Sequence, residues 1–235
     1  MIRLDKYLSD AGLGTRSELK KLIRQKQVRV NGEIAQSPDL KIDEGTAVVT
    51  LRDARVGYHK YYYYLLHKPA GCVTANEDKL HKTVMDYLPS PLPKGLSPVG
   101  RLDLDTEGLL LITNDGQLSH HLLSPTHHIP KTYYVVTDKE IPAEAVNLFK
   151  TGVDIGDEEL TLPAQLELLQ EQGKYSANLT IHEGRFHQVK RMFETLGCTV
   201  IYLKRISMGS LTLGDLEAGS FRELSDEEVV SLKNN

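Results

Sequence analysis

The 235-residue sequence has no tryptophan, two cysteines and four phenylalanines. Cys72 and Cys198 stand far apart and fit neither a disulfide framework nor a metal-ligand spacing. The fold therefore has to close on its own apolar core. No apolar run approaches the length that spans a bilayer, and Met1-Ile2-Arg3-Leu4-Asp5-Lys6 lacks the apolar centre of a signal peptide. A dinucleotide fingerprint is missing. So is any set of His, Cys and carboxylate residues at ligand spacing, since the adjacent pair His127-His128 has no such neighbours. These absences lead to the expectation of a cytoplasmic monomer with reduced thiols, no membrane partner, no metal and no small-molecule cofactor.

A basic excess is also lacking, because the formal net charge is −4. That average hides a division. From Arg16 to Arg29 six basic residues (Arg16, Lys20, Lys21, Arg24, Lys26, Arg29) face one acid, Glu18, a balance of +5. From Gly214 to Asn235 two basic residues, Arg222 and Lys233, face six acids, a balance of −4. A basic head and an acidic tail point to a polyanionic partner at the head alone. Length suits one large or two smaller domains, and 40% apolar with 26% charged residues is ordinary for a globular chain.

The most concentrated charge lies at Gly100-Arg101-Leu102-Asp103-Leu104-Asp105-Thr106-Glu107-Gly108. Leu109 to Thr113 follows as a buried strand, and Asn114-Asp115-Gly116 as the turn that ends it. Charges at the mouth of a buried strand cost free energy unless paired or used. Three readings compete. One is a polar turn in which Arg101 pairs with Asp103 or Asp105 at the surface. Another is a calcium loop, since Asp103, Asp105, Glu107 and Gly108 fall on EF-hand ligand and turn positions. Asn114 stands where the bidentate Glu belongs, however, and an apolar run replaces the helix. The third is a catalytic carboxylate on a rigid strand and turn, with Arg101 as its electrostatic neighbour.

Gly100-Arg101-Leu102-Asp103 with Thr106 and Gly108 resembles the signature of RNA pseudouridine synthases. Its continuation through Leu109-Leu110-Leu111 to Thr113-Asn114-Asp115-Gly116 is similar to the RsuA/RluB/E/F branch, which modifies ribosomal RNA. The resemblance implies that Asp103 is the reactive carboxylate, with Asp105 as the runner-up, and that Arg101 contacts the RNA and fills the space the base vacates. His67-Lys68-Pro69-Ala70-Gly71 resembles the family's first motif, and Lys68 joins the cations expected to bind RNA. Lys131-Thr132-Tyr133 looks like the second, whose tyrosine, here Tyr133, packs beneath the target uracil.

Glu183 to Met192 resembles a further motif. It implies that Lys190 pairs with the catalytic aspartate. The spacing itself sets Arg185, Lys190 and Arg191 near one helix N-terminus, where anions are favoured. Leu203-Lys204-Arg205 matches the last motif, whose leucine, Leu203, lines the uracil pocket.

The rest of the chain reads in sequence order. Leu4, Tyr7 and Leu8 recur at helical spacing. Thr15-Arg16-Ser17-Glu18 has the form of a capping box before a helix with Leu19, Leu22 and Ile23 inward, and Arg16, Lys20 and Arg24 share another face. Val28 to Ile34, with Asn31-Gly32 at its centre, is a hairpin. Through about residue 53 this pattern resembles the RNA-binding domain of the ribosomal protein S-four type, with Arg16, Lys20, Lys21, Arg24 and Arg29 as phosphate contacts. A polar junction at Arg52 to Gly57 reads as a linker.

Tyr61 to Leu66 reads as a strand, its tyrosines divided between core and cross-strand packing. Val84 to Leu88 is a short helix, and Pro89 to Gly95 is a proline-punctuated loop near the RNA path. Helices are expected at Gln117 to Leu123 and Glu144 to Lys150. Strands are expected at Lys131 to Val136, Ala164 to Leu168 and Ala177 to Ile181.

The expected architecture is α+β. It has a small N-terminal α/β RNA-binding domain over 1–56 and a catalytic domain over 59–235 built on a mixed, mainly antiparallel sheet. The expected activity is isomerisation of uridine to pseudouridine in ribosomal RNA, of the small subunit by overall similarity. A synthase acting on large-subunit or transfer RNA, or a non-catalytic assembly factor, are the alternatives.

Overall fold

A computed structural model describes residues 1–90 and 92–234; Pro91, within the expected proline-punctuated loop, lies outside the described residues. The chain divides into two compact units. One comprises Met1–Tyr62 with Leu88–Leu96, and the other Tyr63–Tyr87 with the chain from Ser97 onward.

The first unit opens with β1 (Ile2–Arg3) and α1 (Leu4–Asp10), whose Leu4, Tyr7 and Leu8 are buried. α2 (Arg16–Arg24) starts with the expected capping box. Thr15 Oγ1 accepts from Glu18 N at 3.3 Å, and Glu18 Oε2 accepts from Thr15 N at 2.8 Å. The box satisfies two of the orphan N–H groups of the first turn. Leu19 and Ile23 face inward, leaving Arg16, Lys21 and Arg24 exposed and Lys20 half-exposed. None of these four cations makes an ion pair among the described residues.

β2 (Val28–Val30) and β3 (Glu33–Ile34) form the hairpin, with Asn31 and Gly32 at φ 52° and 86° as a tight two-residue turn requires. β4 (Lys41–Ile42) pairs with β1, and β5 (Val49–Leu51) with β2. The stretch expected as a linker is instead a second hairpin. Arg52 and Asp53, both at positive φ, turn the chain into β6 (Ala54–Arg55), which pairs with β5. Val56 is then buried in the same core, and Tyr58 packs its ring on Tyr7 at 4.3 Å.

The second unit is built on one large sheet. Its strands are β7 (Tyr63–Lys68), β8 (Ser97–Pro98), β9 (Glu107–Thr113), β10 (Lys131–Thr137), β11 (Gln165–Glu171), β12 (Lys174–Ile181), β13 (Val200–Met208), β14 (Leu211–Thr212) and β15 (Phe221–Glu223). The order is β11-β12-β10-β13-β9-β7-β15, with β8 on β9 and β14 on β13. All pairings are antiparallel except β9 with β13. The α+β, mostly antiparallel expectation matches.

β9 runs near the middle, which explains its unbroken apolar sequence: Leu109 to Ile112 are all fully buried. One core gathers Leu65, Leu109 and Leu111 with Leu118 and Leu122 of α3 (Gly116–Leu123) and Leu232 of α6 (Asp226–Lys233). Phe149 of α4 (Ala145–Thr151) meets Phe193 of α5 (Gln188–Glu194) edge-on. The strand at the first tyrosines begins later than expected. Tyr64 is buried against Phe221, and the Tyr63 hydroxyl donates to Asp115 Oδ2 at 2.8 Å. Val84–Tyr87 is a single 3₁₀ turn.

At the entry to β9 the sequence has no alternative to glycine. Gly108 has φ 111°, and a Cβ there would sit 2.2 Å from the Arg205 carbonyl oxygen of β13. This close approach brings the end of the signature loop against the strand that carries Leu203.

Candidate active site

The loop from Gly100 to Thr106 has no regular structure, so side-chain and turn contacts must hold it. Thr74 Oγ1 donates to the Leu102 carbonyl at 2.7 Å and accepts from Leu102 N at 3.1 Å. Gly71 N donates to the Leu104 carbonyl at 2.7 Å, and Thr106 N closes a turn onto the Asp103 carbonyl at 3.2 Å. Beneath them lies Lys68, which is 0% exposed. Its ammonium donates to the carbonyls of Thr106 (2.8 Å), Asp103 (2.9 Å) and Pro69 (3.1 Å).

Burial lowers the Lys68 pKa, and the carboxylate charges of Asp103, Asp105 and Glu107 oppose that shift. A fully buried cation cannot reach a phosphate. The expectation that Lys68 binds RNA is therefore corrected: it is the internal clamp of the signature loop.

Above the clamp, the Asp103 side chain enters a pocket of about 450 Å³ that opens to solvent and is also lined by Arg101, Tyr133, His187, Lys190 and Leu203. The chain thus brings together all five residues expected at the catalytic centre. Tyr133 is buried on β10 beside Arg205 in register, and Leu203 comes from β13. Arg101 is exposed, with no ion pair among the described residues. Asp105 is absent from the lining; its side chain is 70% exposed against 31% for Asp103.

Lys190 does not pair with Asp103 alone. Its ammonium grips both Asp105 oxygens, at 2.7 and 2.8 Å, and stands 3.4 Å from Asp103 Oδ2. Burial works against the Lys190 charge, but the Asp105 hydrogen bond and the two carboxylate charges outweigh it and hold its pKa above the ordinary value. Asp105 is lowered in turn, first by the Lys190 hydrogen bond. One cation therefore serves two carboxylates, with the closer contact to the one outside the pocket.

His187 was not singled out by sequence. Its Nε2 lies 3.6 Å from Asp103 Oδ1, whereas Lys190 approaches Oδ2. It holds a left-handed backbone (φ 47°, ψ 30°) where α5 begins. A non-glycine residue in that region costs free energy and recurs at functional sites. The only signal in the sequence was an imidazole beside the Gln188-Val189-Lys190 run.

The expected anion site at the start of this helix is also corrected. α5 begins only at Gln188, so Arg185 precedes it and Arg191 lies within it, and both side chains are engaged by the protein. Arg185 donates to Glu183 (2.9 Å) and to the carbonyls of Glu159 (2.7 Å) and Leu160 (2.8 Å). Arg191 donates to Asp157 and to the carbonyls of Ile155 and Phe186. With its donors occupied, Arg191 clamps the 155–160 loop rather than presenting charge to RNA, whereas Arg185 holds the same loop yet also lines the Asp103 pocket. Among the described residues no group of His, Cys, Asp and Glu converges as a metal site, and no helix is long and apolar enough to cross a membrane.

Comparison with known proteins gives this geometry its context. The RNA pseudouridylate synthase family matches residues 62–195, and the S4 domain matches residues 2–48. The ribosomal small subunit pseudouridine synthase A of Vibrio cholerae is 43% identical, over 98% of this chain and 99% of its own. Its counterpart in Escherichia coli is 38% identical over 98% and 100%. An uncharacterised RNA pseudouridine synthase of Bacillus subtilis, YtzG, is 42% identical over 97% of both chains. A solved structure, "Crystal structure of pseudouridylate synthase", superposes with a TM-score of 0.70 at 40% identity, covering 99% of this chain and all of the other. The chain belongs to the RNA pseudouridylate synthase family, whose members are isomerases.

The clamp yields a test. Lys68→Met keeps the bulk but leaves buried carbonyls without a donor, and each such loss costs about 1–3 kcal/mol. Urea unfolding is expected to show a loss of about 2–4 kcal/mol, with the salt dependence of RNA binding unchanged. Unchanged stability with a shallower salt slope would return Lys68 to phosphate contact.

Proposed function

We propose that this protein isomerises a specific uridine to pseudouridine in small-subunit ribosomal RNA, with Asp103 as the reactive carboxylate. The observation that carries the reading is the pocket in which Asp103 faces Tyr133 and Leu203 while Asp105 stays outside. The relatives named for the small-subunit reaction, similar along nearly their whole length, support the choice of RNA.

The reaction breaks the C1′–N1 glycosidic bond, turns the uracil and forms a C1′–C5 bond. The C5 proton is released and N1 gains one, so nothing is oxidised or reduced. The base has to leave the stack, at roughly a few kcal/mol, to reach the pocket. Stacking on the Tyr133 ring returns about 1–3 kcal/mol of that, and Leu203 covers the edge. Lys190 and His187 flank the Asp103 carboxylate, at 3.4 Å from Oδ2 and 3.6 Å from Oδ1. Arg101, exposed at the rim, is assigned to the RNA backbone and to the gap the base leaves. Arg16, Lys20, Lys21 and Arg24 on α2, with Arg29 on the neighbouring hairpin, form the proposed phosphate-binding face of the first unit.

Two outcomes are expected. Asp103→Asn abolishes tritium release from 5-labelled uridine in small-subunit rRNA while leaving RNA affinity within a few-fold, and Asp105→Asn is milder. Turnover by Asp103→Asn close to wild type would sink the assignment. Replacing Arg16, Lys20, Lys21 and Arg24 by Gln lowers the slope of log K against log salt by about 0.7–0.9 for each lost phosphate contact. A slope equal to wild type would make that helix face merely solvated.

A further inference from the structure

Phe186 is 73% exposed, although only four phenylalanines occur in the chain and Phe149 and Phe193 are fully buried. A lone exposed apolar side chain ordinarily calls for no explanation. This one is not alone. Its ring stacks on His187, centroids 3.9 Å apart and planes within 17°. The left-handed backbone at His187 sets that ring between Phe186 and Asp103.

The stack borders a groove of about 950 Å³ that shares Arg101, Leu102, Asp103, Gly184, Arg185 and His187 with the catalytic pocket and continues to Val73, Leu104 and Phe186. Leu104 is itself 47% exposed on the signature loop. The groove therefore offers a flat aromatic face, aliphatic walls and one exposed guanidinium, and it joins the pocket directly.

We infer that this groove holds the nucleobase next to the target uridine, stacked on Phe186. The inference rests on the proposed reaction and names the part of the substrate that lies beyond the flipped base. Consecutive nucleotides are joined by one phosphodiester, so only an immediate neighbour reaches a groove that shares a wall with the pocket. Arg101 at that shared wall suits the phosphate between them. Aromatic stacking accepts any base, because every base has a π-face, so the contact anchors the strand without reading its sequence. His187 has two faces to this arrangement: its nitrogen approaches Asp103 and its ring backs Phe186. Occupation of the groove thereby bears on the position of the carboxylate.

The test uses a small-subunit rRNA fragment containing the uridine that the wild-type protein modifies, with a single abasic nucleotide placed at each neighbour in turn. With wild type, one of the two abasic substitutions is expected to lower kcat/KM about tenfold. Phe186→Ala is expected to lose about tenfold on the intact RNA, to lose no more than about twofold further at that abasic position, and to keep the wild-type melting temperature. Phe186→Tyr restores most of the rate. Full activity of Phe186→Ala on intact RNA overturns the inference, as do losses that multiply with the abasic substitution at both neighbours. Wild-type turnover of the intact fragment reports separately on the proposed reaction: its absence with every rRNA fragment removes that reading and this inference with it.

Discussion

A buried ammonium holds the active-site loop in place. Lys68 reaches the carbonyls of Pro69, Asp103 and Thr106 from below, where no water competes. A desolvated cation is costly by itself. Here the loop carbonyls surround it, and Asp103, Asp105 and Glu107 oppose the downward shift that burial imposes on it. The interaction runs both ways. The carboxylates help keep Lys68 charged, and Lys68 fixes the backbone from which two of them project. Thr74 and Gly71 complete the hold, and Gly108 lets the loop end press against β13. Precise placement of a reacting group is worth more than proximity alone, and a site built this way needs little reorganisation during the reaction.

The two aspartates of the signature then divide between roles. Asp105, largely exposed, takes the short contacts from Lys190, and Asp103, inside the pocket, takes the longer one. Asp105 thus anchors the lysine, and the lysine places a positive charge beside Asp103 without covering it. A direct short ion pair with Asp103 would occupy an oxygen that the proposed reaction turns toward the substrate.

Much of this was legible in the sequence because it is local. The run Leu109 to Thr113 reads as a buried strand, Thr15 and Glu18 as a capping box, and Asn31-Gly32 as a tight turn, since each depends on residues within a few positions. The centre around Asp103, Tyr133, Lys190 and Leu203 was legible through family resemblance, not spacing, because those residues converge from separate strands and a helix.

The direction of a charged side chain was not legible. Lys68, Arg185 and Arg191 look like phosphate ligands in a sequence, yet their partners are mostly carbonyls, which no residue type announces. The second hairpin was hidden for a similar reason. Arg52 and Asp53 adopt positive φ without the glycine that marks such turns. His187 gave little signal because its placement depends on a left-handed backbone that the residue type does not announce.

The arrangement of one lysine between two carboxylates is tested most directly by the pH dependence of turnover at saturating RNA for Lys190→Met. Without the cation the two carboxylates repel each other, which favours protonation. The acid limb of the rate profile is expected to move to higher pH, because Asp105 loses the hydrogen bond that lowers its pKa, with Lys190→Arg less affected. A Lys190→Met profile parallel to wild type, with only RNA affinity reduced, would contradict the account.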